Sequence, residues 1–432
     1  MTFIMLWGDD IMENRQKLVV NGGRVIEGEL AVQGAKNSVL ILLSAAVLAH
    51  GEVILHNCPQ LTDVDAACRI LTGLGCRVSR SGGTICADSS VISGCEISES
   101  LMREMRSSIM FLGSILGRAG RCRLGFPGGC ELGARPIDLH LSALRQMGAV
   151  ITEEHGILDC RADKGLHGAK INLSFPSVGA TENIMLAAVC ADGVTEIHNA
   201  AREPEIRDLA AFLTKCGARI SGAGESVIII EGVQNLYPAE YSVMPDRIAA
   251  ATYLCCAAAT GGELILTHCG AQDMTAILSV LESMGCRVYP YGEGKLYFSR
   301  KRRLKAPPTV RTMPYPGFPT DIQAPVMAVC TLAEGTSVFV ETIFDSRYRH
   351  VPELVRLGAQ IKAEGRVAVV EGVKRLTGAK LMAAELRGGA ALVTAALAAE
   401  GSSEIGGLCY IDRGYDGIDA TLRRLGADIK RV

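Results

Sequence analysis

The sequence predicts an α+β protein made of six copies of one unit of about 70 residues, with helices buried inside strands. The first indication is a motif that recurs every 68 to 73 residues: an apolar residue or cysteine, then Gly, then Ala or Cys. Its glycines are Gly75, Gly148, Gly217, Gly285, Gly358 and Gly426. A second set follows small-residue apolar runs and keeps the same period: Gly51, Gly120, Gly193, Gly262, Gly335 and Gly401.

The residue pattern of each unit predicts, in order, an apolar helix, a glycine, a strand, a polar turn, an amphipathic helix, a Gly-Ala turn and further strands. The second helix has spaced apolar residues, as at Ile137, Leu139, Leu141 and Leu144, and ends before a glycine at the C′ position. The first helix is apolar on all sides, which is typical of a helix buried all round. We expect the six units to divide three and three into two similar domains with a cleft between them.

Composition excludes several classes of protein. The 432 residues carry 44 Lys and Arg against 46 Asp and Glu, a net charge of -2, which argues against broad electrostatic binding to nucleic acid or an anionic membrane. The longest apolar run, residues 39–49, is too short for membrane insertion. No secretory signal is evident, so we expect a cytoplasmic protein. The sequence leaves the oligomeric state open.

The 16 cysteines predict neither a metal site nor a redox motif. No two of them stand in a C-x-x-C spacing, so the usual signatures of zinc, thioredoxin and iron–sulfur sites are missing. Several lie in apolar stretches, as Cys255 and Cys256 do. We interpret most of them as small buried hydrophobic residues in a reducing compartment, and we expect no cofactor.

The residues at the starts of the buried helices predict an anion site. Equivalent positions hold Lys36, Arg106, Asp246, Asp321 and Arg387. A cation at a helix N-terminus is locally unfavourable, so three of them suggest that a bound anion supplies the missing charge. The alternative is that these cations extend into solvent. Asp246 fits a helix cap or a salt-bridge partner; for Asp321 we expect Thr320 to serve as the cap, which leaves the carboxylate available as a base.

One loop stands out because only unit two carries a sizeable insertion between its two marker glycines, 28 residues against 23 to 25 elsewhere. Insertions in repeat proteins often lie on the binding face. The inserted segment Gly125–Pro136 holds Cys130 beside two glycines and Arg135 five residues later. A loop thiol near guanidinium groups is expected to be reactive. Arg413 occupies the place in unit six that corresponds to Arg135.

These residues belong to motifs that resemble the bacterial UDP-N-acetylglucosamine 1-carboxyvinyltransferases, enolpyruvyl transferases of the EPSP synthase-like superfamily. The resemblance runs from about Leu18 to Val432. Its motifs are Gly34-Ala-Lys-Asn, Pro127-Gly-Gly-Cys-x-Leu-Gly-Ala-Arg-Pro, Ser177-Val-Gly-Ala-Thr, Ala201-Arg-Glu-Pro-Glu-Ile, Phe318-Pro-Thr-Asp, His350-Val-Pro-Glu-Leu and Asp412-Arg-Gly-Tyr.

The resemblance implies an inside-out α/β barrel of two three-repeat domains. The domain that carries the Cys130 loop is expected at residues 36–244. The second domain is expected to be discontinuous, at residues 12–35 plus 245–432, because the resemblance places the N-terminal strand in it. Residues 1–11 are expected to be an extension.

The resemblance also implies the reaction: enolpyruvyl moves from phosphoenolpyruvate to the 3′-hydroxyl of UDP-N-acetylglucosamine with release of phosphate, the first committed step of peptidoglycan synthesis. It assigns catalysis to Cys130 as general acid, which fosfomycin alkylates, with Lys36, Asp321 as base, and Arg413. The implied phosphoenolpyruvate contacts are Lys36, Asn37, Arg135, Arg387 and Arg413. The implied nucleotide-sugar contacts are Arg106, Arg135, Pro136, Ile137, Asp138, Leu139, Ser177, Val178, Gly179, Asp321 and Ile343.

The chain departs from some members of the family at Thr62, Phe175 and Ala249, where those members carry Lys, Lys and an acid. We therefore assign no second active-site lysine. Three alternatives stay open: the same transfer to shikimate 3-phosphate, which the Cys130 loop disfavours; a silent paralogue that binds nucleotide sugar as a regulator; and a repeat scaffold for protein partners. The partners that we expect are the two substrates, without nucleic acid.

Overall fold

The computed structural model describes residues 16–125 and 137–432. The strands in this part of the chain are β1 Leu18–Asn21, β2 Glu27–Ala31, β3 Glu52–His56, β4 Arg77–Ser81, β5 Thr84–Asp88, β6 Glu96–Ile97, β7 Arg121–Gly125, β8 Val150–Glu154, β9 Ile157–Arg161, β10 Lys170–Asn172, β11 Val194–His198, β12 Arg219–Ser221, β13 Val227–Glu231, β14 Glu240–Ser242, β15 Glu263–Thr267, β16 Arg287–Pro290, β17 Lys295–Ser299, β18 Thr309–Arg311, β19 Thr336–Val340, β20 Gln360–Glu364, β21 Val367–Glu371, β22 Lys380–Met382, β23 Ser402–Gly406 and β24 Asp428–Arg431.

The helices of the same residues are α1 Lys36–Ala46, α2 Thr62–Gly73, α3 Glu99–Glu104, α4 Phe111–Ala119, α5 Asp138–Gln146, α6 Val178–Ala188, α7 Pro204–Lys215, α8 Arg247–Thr260, α9 Thr275–Ser283, α10 Thr320–Cys330, α11 Val351–Arg356, α12 Leu386–Ala398, α13 Leu408–Ile411 and α14 Ile418–Arg424. Short 3-10 helices cover Arg106–Met110 and Ala271–Met274. None of these described helices is long and apolar enough to cross a membrane.

The chain forms two compact units. Unit I contains the described residues of Gln33–Pro245 together with Pro314–Pro316, and unit II contains those of Met1–Val32, Asp246–Met313 and Gly317–Val432. In the described residues each unit has three four-stranded sheets and its own hydrophobic core. The prediction of a mixed fold with six repeats is therefore confirmed.

Every sheet contains one parallel and two antiparallel pairs, and three sheets take a strand from a distant part of the chain. β14 pairs in parallel with β3 in unit I, and β2 pairs in parallel with β15 in unit II. β1 lies between β23 and β24 and is antiparallel to both. Each domain unit thus closes its sheets with strands that lie outside the local repeat.

The first helix of each repeat is buried, as its composition predicts. In α8, every residue from Arg247 to Ala259 is buried, and α1, α6, α10 and α12 are buried along most of their length. Their apolar side chains fill the two cores, since no side of these helices faces water. The polar residues of these segments are concentrated at the helix starts.

The recurring Gly-Ala turn ends the amphipathic helices for a backbone reason. The six marker glycines after α2, α5, α7, α9, α11 and α14 all have φ between 94° and 102°. Residues with a Cβ rarely adopt this conformation, which glycine adopts at no steric cost. The helix therefore ends there in every repeat, and the chain turns into the next strand.

Two glycines of α4 allow a test of the packing of the buried helices. A Cβ on Gly113 would lie 2.3 Å from the backbone oxygen of Asn183, whereas the nearest atom to a Cβ on Gly117 lies at 3.5 Å. We expect Gly113→Ala to lower the free energy of unfolding by about 2–4 kcal/mol, because two backbones must move apart. Gly117→Ala should be neutral or stabilising by up to about 1 kcal/mol. Urea denaturation measures both, and equal effects would contradict this packing.

Candidate active site

Lys36 begins α1 in unit I and forms a buried ion pair. Its ammonium Nζ lies 2.7 Å from Oδ2 of Asp63, with only 10% and 3% of the two side chains exposed. Asp63 lies in the first turn of α2, where the positive end of the helix dipole favours a carboxylate. The alternative that this cation extends into solvent is wrong, and so is the expectation that a bound anion supplies the charge missing here, because Asp63 supplies it. Sequence reasoning missed Asp63, whose only signal was an acid in the first turn of a predicted amphipathic helix.

Further polar contacts fix the start of α1. The Ala35 amide donates to the Met244 carbonyl at 2.7 Å, and the Ser38 hydroxyl donates to the Asp208 carboxylate. Tyr241 also donates to Asp208, at 2.7 Å. Burial raises the pKa of Asp208, although these hydrogen bonds oppose the shift. The segment is therefore held on both sides of Asn37, whose side chain is exposed.

Asp321 lies between two guanidinium groups in unit II. Its Oδ1 accepts from Nη2 of Arg347 at 3.1 Å, and its Oδ2 accepts from Nη2 of Arg387 at 3.2 Å. The arginine side chains are 2% and 4% exposed, against 30% for Asp321. Arg387 therefore does not extend into solvent either. Sequence reasoning missed Arg347, because it belongs to neither repeat marker.

The prediction that Thr320 caps α10 is wrong. Thr320 does not cap the helix: Pro319 occupies the N-cap position, and the Thr320 hydroxyl donates to Oε2 of Glu341 at 2.9 Å. The other oxygen of this buried carboxylate accepts from the amide of Ile343 at 2.8 Å. Glu341, which sequence reasoning missed, therefore links Ile343 to the helix start that carries Asp321.

Two acids cap buried helices in unit II. Oδ1 of Asp246 accepts from the Ile248 and Ala249 amides, at 2.9 Å each, which confirms the interpretation of Asp246 as a cap. Glu385 caps α12 by accepting from the amides of Arg387 and Gly388. The same Glu385 carboxylate lies 3.9 Å from Arg347.

Tyr415 links Arg387 to the segment that carries Arg413. Its hydroxyl lies 2.9 Å from Oγ1 of Thr252 and accepts from Nη1 of Arg387 at 3.3 Å. Arg387 also lies over the ring, 5.6 Å from its centroid. Burial raises the pKa of Tyr415, so the phenol stays neutral at physiological pH.

The implied nucleotide-sugar residues of unit I meet at two helix starts. Ile137 precedes α5, which begins with Asp138 and Leu139, while Ser177 caps α6 by accepting from the Ala180 amide at 3.3 Å. Val178 and Gly179 are the first residues of α6. Arg106 begins the 3-10 helix that precedes α4, so it does not lie in the buried helix itself. Cys130, Arg135 and Pro136 lie outside the described residues.

His140 joins these two helix starts. The side-chain Nδ2 of Asn183 donates to Nδ1 of His140 at 2.9 Å, and the same Nδ2 donates to the Ile109 carbonyl. A Cβ on Gly179 would lie only 3.1 Å from Cε1 of the imidazole, so the ring packs directly on this glycine. Burial lowers the pKa of His140 to about 4, and the ring is neutral at physiological pH.

Comparison with known proteins identifies the family. The sequence profile of EPSP synthase (3-phosphoshikimate 1-carboxyvinyltransferase) matches residues 20–422. The chain belongs to the EPSP synthase family. It is 49% identical, over 96% of its length and 99% of the relative's, to UDP-N-acetylglucosamine 1-carboxyvinyltransferase 2 of Caldanaerobacter subterraneus. It is 46% identical, with the same coverage, to the UDP-N-acetylglucosamine 1-carboxyvinyltransferase of Trichlorobacter lovleyi.

Two solved structures share the fold. The enolpyruvyl transferase NikO from Streptomyces tendae superposes with a TM-score of 0.88 at 24% identity, over 97% of this chain and 99% of that one. EPSP synthase from Acinetobacter baumannii gives a TM-score of 0.74 at 19% identity, over 96% and 99%. At these identities the likeness concerns the fold alone.

The buried Lys36–Asp63 pair predicts a large effect of Asp63 on stability. We expect Asp63→Asn to lower the free energy of unfolding by about 2–4 kcal/mol, because a buried ammonium loses the carboxylate that it faces. Asp65, in the same helix, pairs with Arg80 and is 55% exposed, so Asp65→Asn should cost less than about 1 kcal/mol. Urea denaturation compares them, and similar losses would show that the Lys36–Asp63 pair contributes no more than a surface pair.

His140 predicts a defined acid sensitivity. Its pKa is lowered from 6.5 to about 4, so the unfolded chain binds more protons between these values and stability falls as the pH decreases through this range. Between pH 7 and pH 5 we expect the wild type to lose roughly 1–2 kcal/mol more unfolding free energy than His140→Gln. The exposed His155 provides the control, and His155→Asn should keep the wild-type pH dependence. An unchanged pH dependence in His140→Gln would contradict the burial of a neutral imidazole.

Proposed function

We propose that this protein transfers enolpyruvyl from phosphoenolpyruvate to the 3′-hydroxyl of UDP-N-acetylglucosamine and releases phosphate, the first committed step of peptidoglycan synthesis. The observation that carries the proposal is identity of 46 to 49% over nearly the whole chain to relatives named for this transfer. The motifs that carry the resemblance include Lys36, Cys130, Asp321 and Arg413.

The charges at the helix starts suit phosphoenolpyruvate. This substrate is a trianion at neutral pH, so its binding needs several cations held in place. The contacts proposed from the resemblance are Lys36, Asn37, Arg387 and Arg413. Lys36 and Arg387 are buried and paired with carboxylates, so protein groups fix the positions of both cations. Arg135 is proposed as a further contact by the resemblance alone.

Asp321 is the proposed base. Both of its oxygens accept from buried guanidinium groups, which fix the orientation of the carboxylate. Its side chain is nevertheless 30% exposed, so a lone pair is accessible to a substrate hydroxyl. A general base needs this combination of fixed orientation and hydrogen-bond access.

Addition and elimination each need proton transfers. As the 3′-oxygen bonds to C2 of phosphoenolpyruvate, Asp321 takes the hydroxyl proton and Cys130 delivers a proton to C3. A proton then returns from C3 to the Cys130 thiolate while the bond between C2 and the phosphate oxygen breaks, and the departing phosphate takes the proton that Asp321 holds. This restores the double bond and both protein groups and releases phosphate. The assignment of Cys130 as general acid comes from the resemblance, and its position in the one sizeable sequence insertion between paired marker glycines supports it.

The nucleotide sugar is proposed to bind at the two helix starts that His140 joins in unit I. Backbone N–H groups at helix N-termini bind phosphate oxygens well, and α6 begins with Val178 and Gly179 after its Ser177 cap. The proposed contacts are Arg106, Arg135, Pro136, Ile137, Asp138, Leu139, Ser177, Val178 and Gly179 in unit I, with Asp321 and Ile343 in unit II.

Shikimate 3-phosphate is the alternative acceptor, because the matching family profile is described by that reaction. The 46 to 49% identities belong to relatives named for UDP-N-acetylglucosamine, whereas EPSP synthase from Acinetobacter baumannii is 19% identical. These values favour the nucleotide sugar. Turnover with each acceptor separates the two functions.

Phosphate release from phosphoenolpyruvate tests the proposal directly. We expect release that requires UDP-N-acetylglucosamine, does not occur with shikimate 3-phosphate, and stops after exposure to fosfomycin. We also expect Cys130→Ser and Asp321→Asn each to lower kcat by about 100-fold or more, because each removes a group that transfers a proton. Release that survives fosfomycin would keep the transfer but remove Cys130 from it.

The fully buried Cys255 is the matched control for the thiol. Cys255→Ser should change stability and leave kcat within about twofold of wild type, since it lies in the core of α8. Equal losses of activity in Cys130→Ser and Cys255→Ser would contradict the role of Cys130. A folded protein that releases no phosphate with either acceptor would contradict the transferase.

A further inference from the structure

We infer that Arg431, near the end of the chain, is a positioning residue that holds Arg413 in place for phosphoenolpyruvate. The inference rests on the proposed function, which makes Arg413 a contact of that substrate. It concerns the segment Asp412–Gly417 between α13 and α14, which we call the Arg413 turn.

The guanidinium of Arg431 forms a bidentate contact with Asp412, the first residue of this turn. Its Nη1 donates to Oδ2 of Asp412 at 2.8 Å, and its Nη2 donates to Oδ1 at 2.7 Å. This two-bond arrangement fixes orientation as well as distance, which a lysine cannot do. Nη2 also lies 3.5 Å from Oδ1 of Asp419, in the first turn of α14. One side chain therefore contacts the first residue of the Arg413 turn and the helix that follows the turn.

The strand that carries Arg431 is itself well fixed. β24 pairs antiparallel with β1, where Arg431 stands opposite Leu18. Beyond it, Lys17 and Val432 exchange two backbone hydrogen bonds, of 2.8 and 2.9 Å. Because side chains alternate along a strand, Arg431 shares the face of the buried Ile429 and points toward the helices, away from the face of exposed Lys430.

The middle of the turn is anchored against the start of α12. Tyr415 is 1% exposed and bonds to Arg387, and a Cβ on Gly414 would lie 2.8 Å from the side chain of Leu386. Arg413 therefore projects from a segment that is held at its first residue by Arg431 and in its middle by α12. Without the hydrogen bonds of Arg431, the backbone of the turn has more accessible conformations. Ordering Arg413 around an anion then costs more conformational entropy.

Steady-state kinetics with both substrates tests this inference. We expect Arg431→Gln to raise KM for phosphoenolpyruvate by about tenfold and Arg431→Lys by about three- to fivefold, with kcat and KM for the sugar within about twofold of wild type. Asp412→Asn should reproduce the effect of Arg431→Gln. The combined variant should be no worse than either single variant, since both remove the same contact.

Arg424 supplies the matched control, because it is an exposed arginine of neighbouring α14 whose guanidinium bonds to the hydroxyl of Thr421. Arg424→Gln should leave all constants within about twofold. An unchanged KM for phosphoenolpyruvate in folded Arg431→Gln and Asp412→Asn would overturn the inference, as would an equal rise in both KM values, which indicates general loosening. If Arg431→Gln does not fold, the KM of Asp412→Asn for phosphoenolpyruvate tests the inference alone.

The phosphate-release activity of the wild type distinguishes a failure of this inference from a failure of the proposed function. An active wild type with unaffected variants contradicts only the role of Arg431. A wild type that releases no phosphate contradicts the proposed function, and calorimetric binding of phosphoenolpyruvate to wild type and Asp412→Asn then still tests whether Arg431 positions an anion contact. Absence of binding in that case overturns both.

Discussion

The structure depends on helices that are buried on every side. A helix without an exposed face cannot carry charged residues along its length, because an uncompensated charge in the core is strongly unfavourable. In α8, residues 247–259 are all buried, and between Ile248 and Ala259 none of them is charged. In α8, charged side chains are therefore confined to the helix start. This restriction places the candidate functional residues of each unit at a few equivalent points.

Charges at these points are only partly hydrated, so they must be paired. Lys36 faces Asp63, and Arg387 shares Asp321 with Arg347. The low dielectric environment that makes the pairs necessary also strengthens the attraction between the paired charges. In the proposed function, phosphoenolpyruvate meets cations whose positions are already set by protein carboxylates, and Asp321 serves both as partner and as base.

Polar contacts help to fix the segments between helices that carry candidate residues. Glu341 joins Ile343 to Thr320, and Tyr415 joins the Arg413 turn to Arg387. Such contacts have directional geometry, so they define orientation where an apolar contact would define only proximity. Arg431 adds a two-bond contact of the same kind, and through it the last strand of the chain contributes to the organisation of the candidate site.

The sequence by itself determined the repeat number, the buried helices and the glycine that ends each amphipathic helix, because these follow from periodicity and backbone conformation within one unit. Only the tertiary structure decided that β1, β2 and β14 complete distant sheets, that Lys36 pairs with Asp63, and that Thr320 bonds to Glu341 instead of capping its helix. The order of apolar and polar residues along a chain indicates which face of a helix or strand is apolar. It does not report which distant polar group a buried side chain meets, because that depends on how separate elements pack.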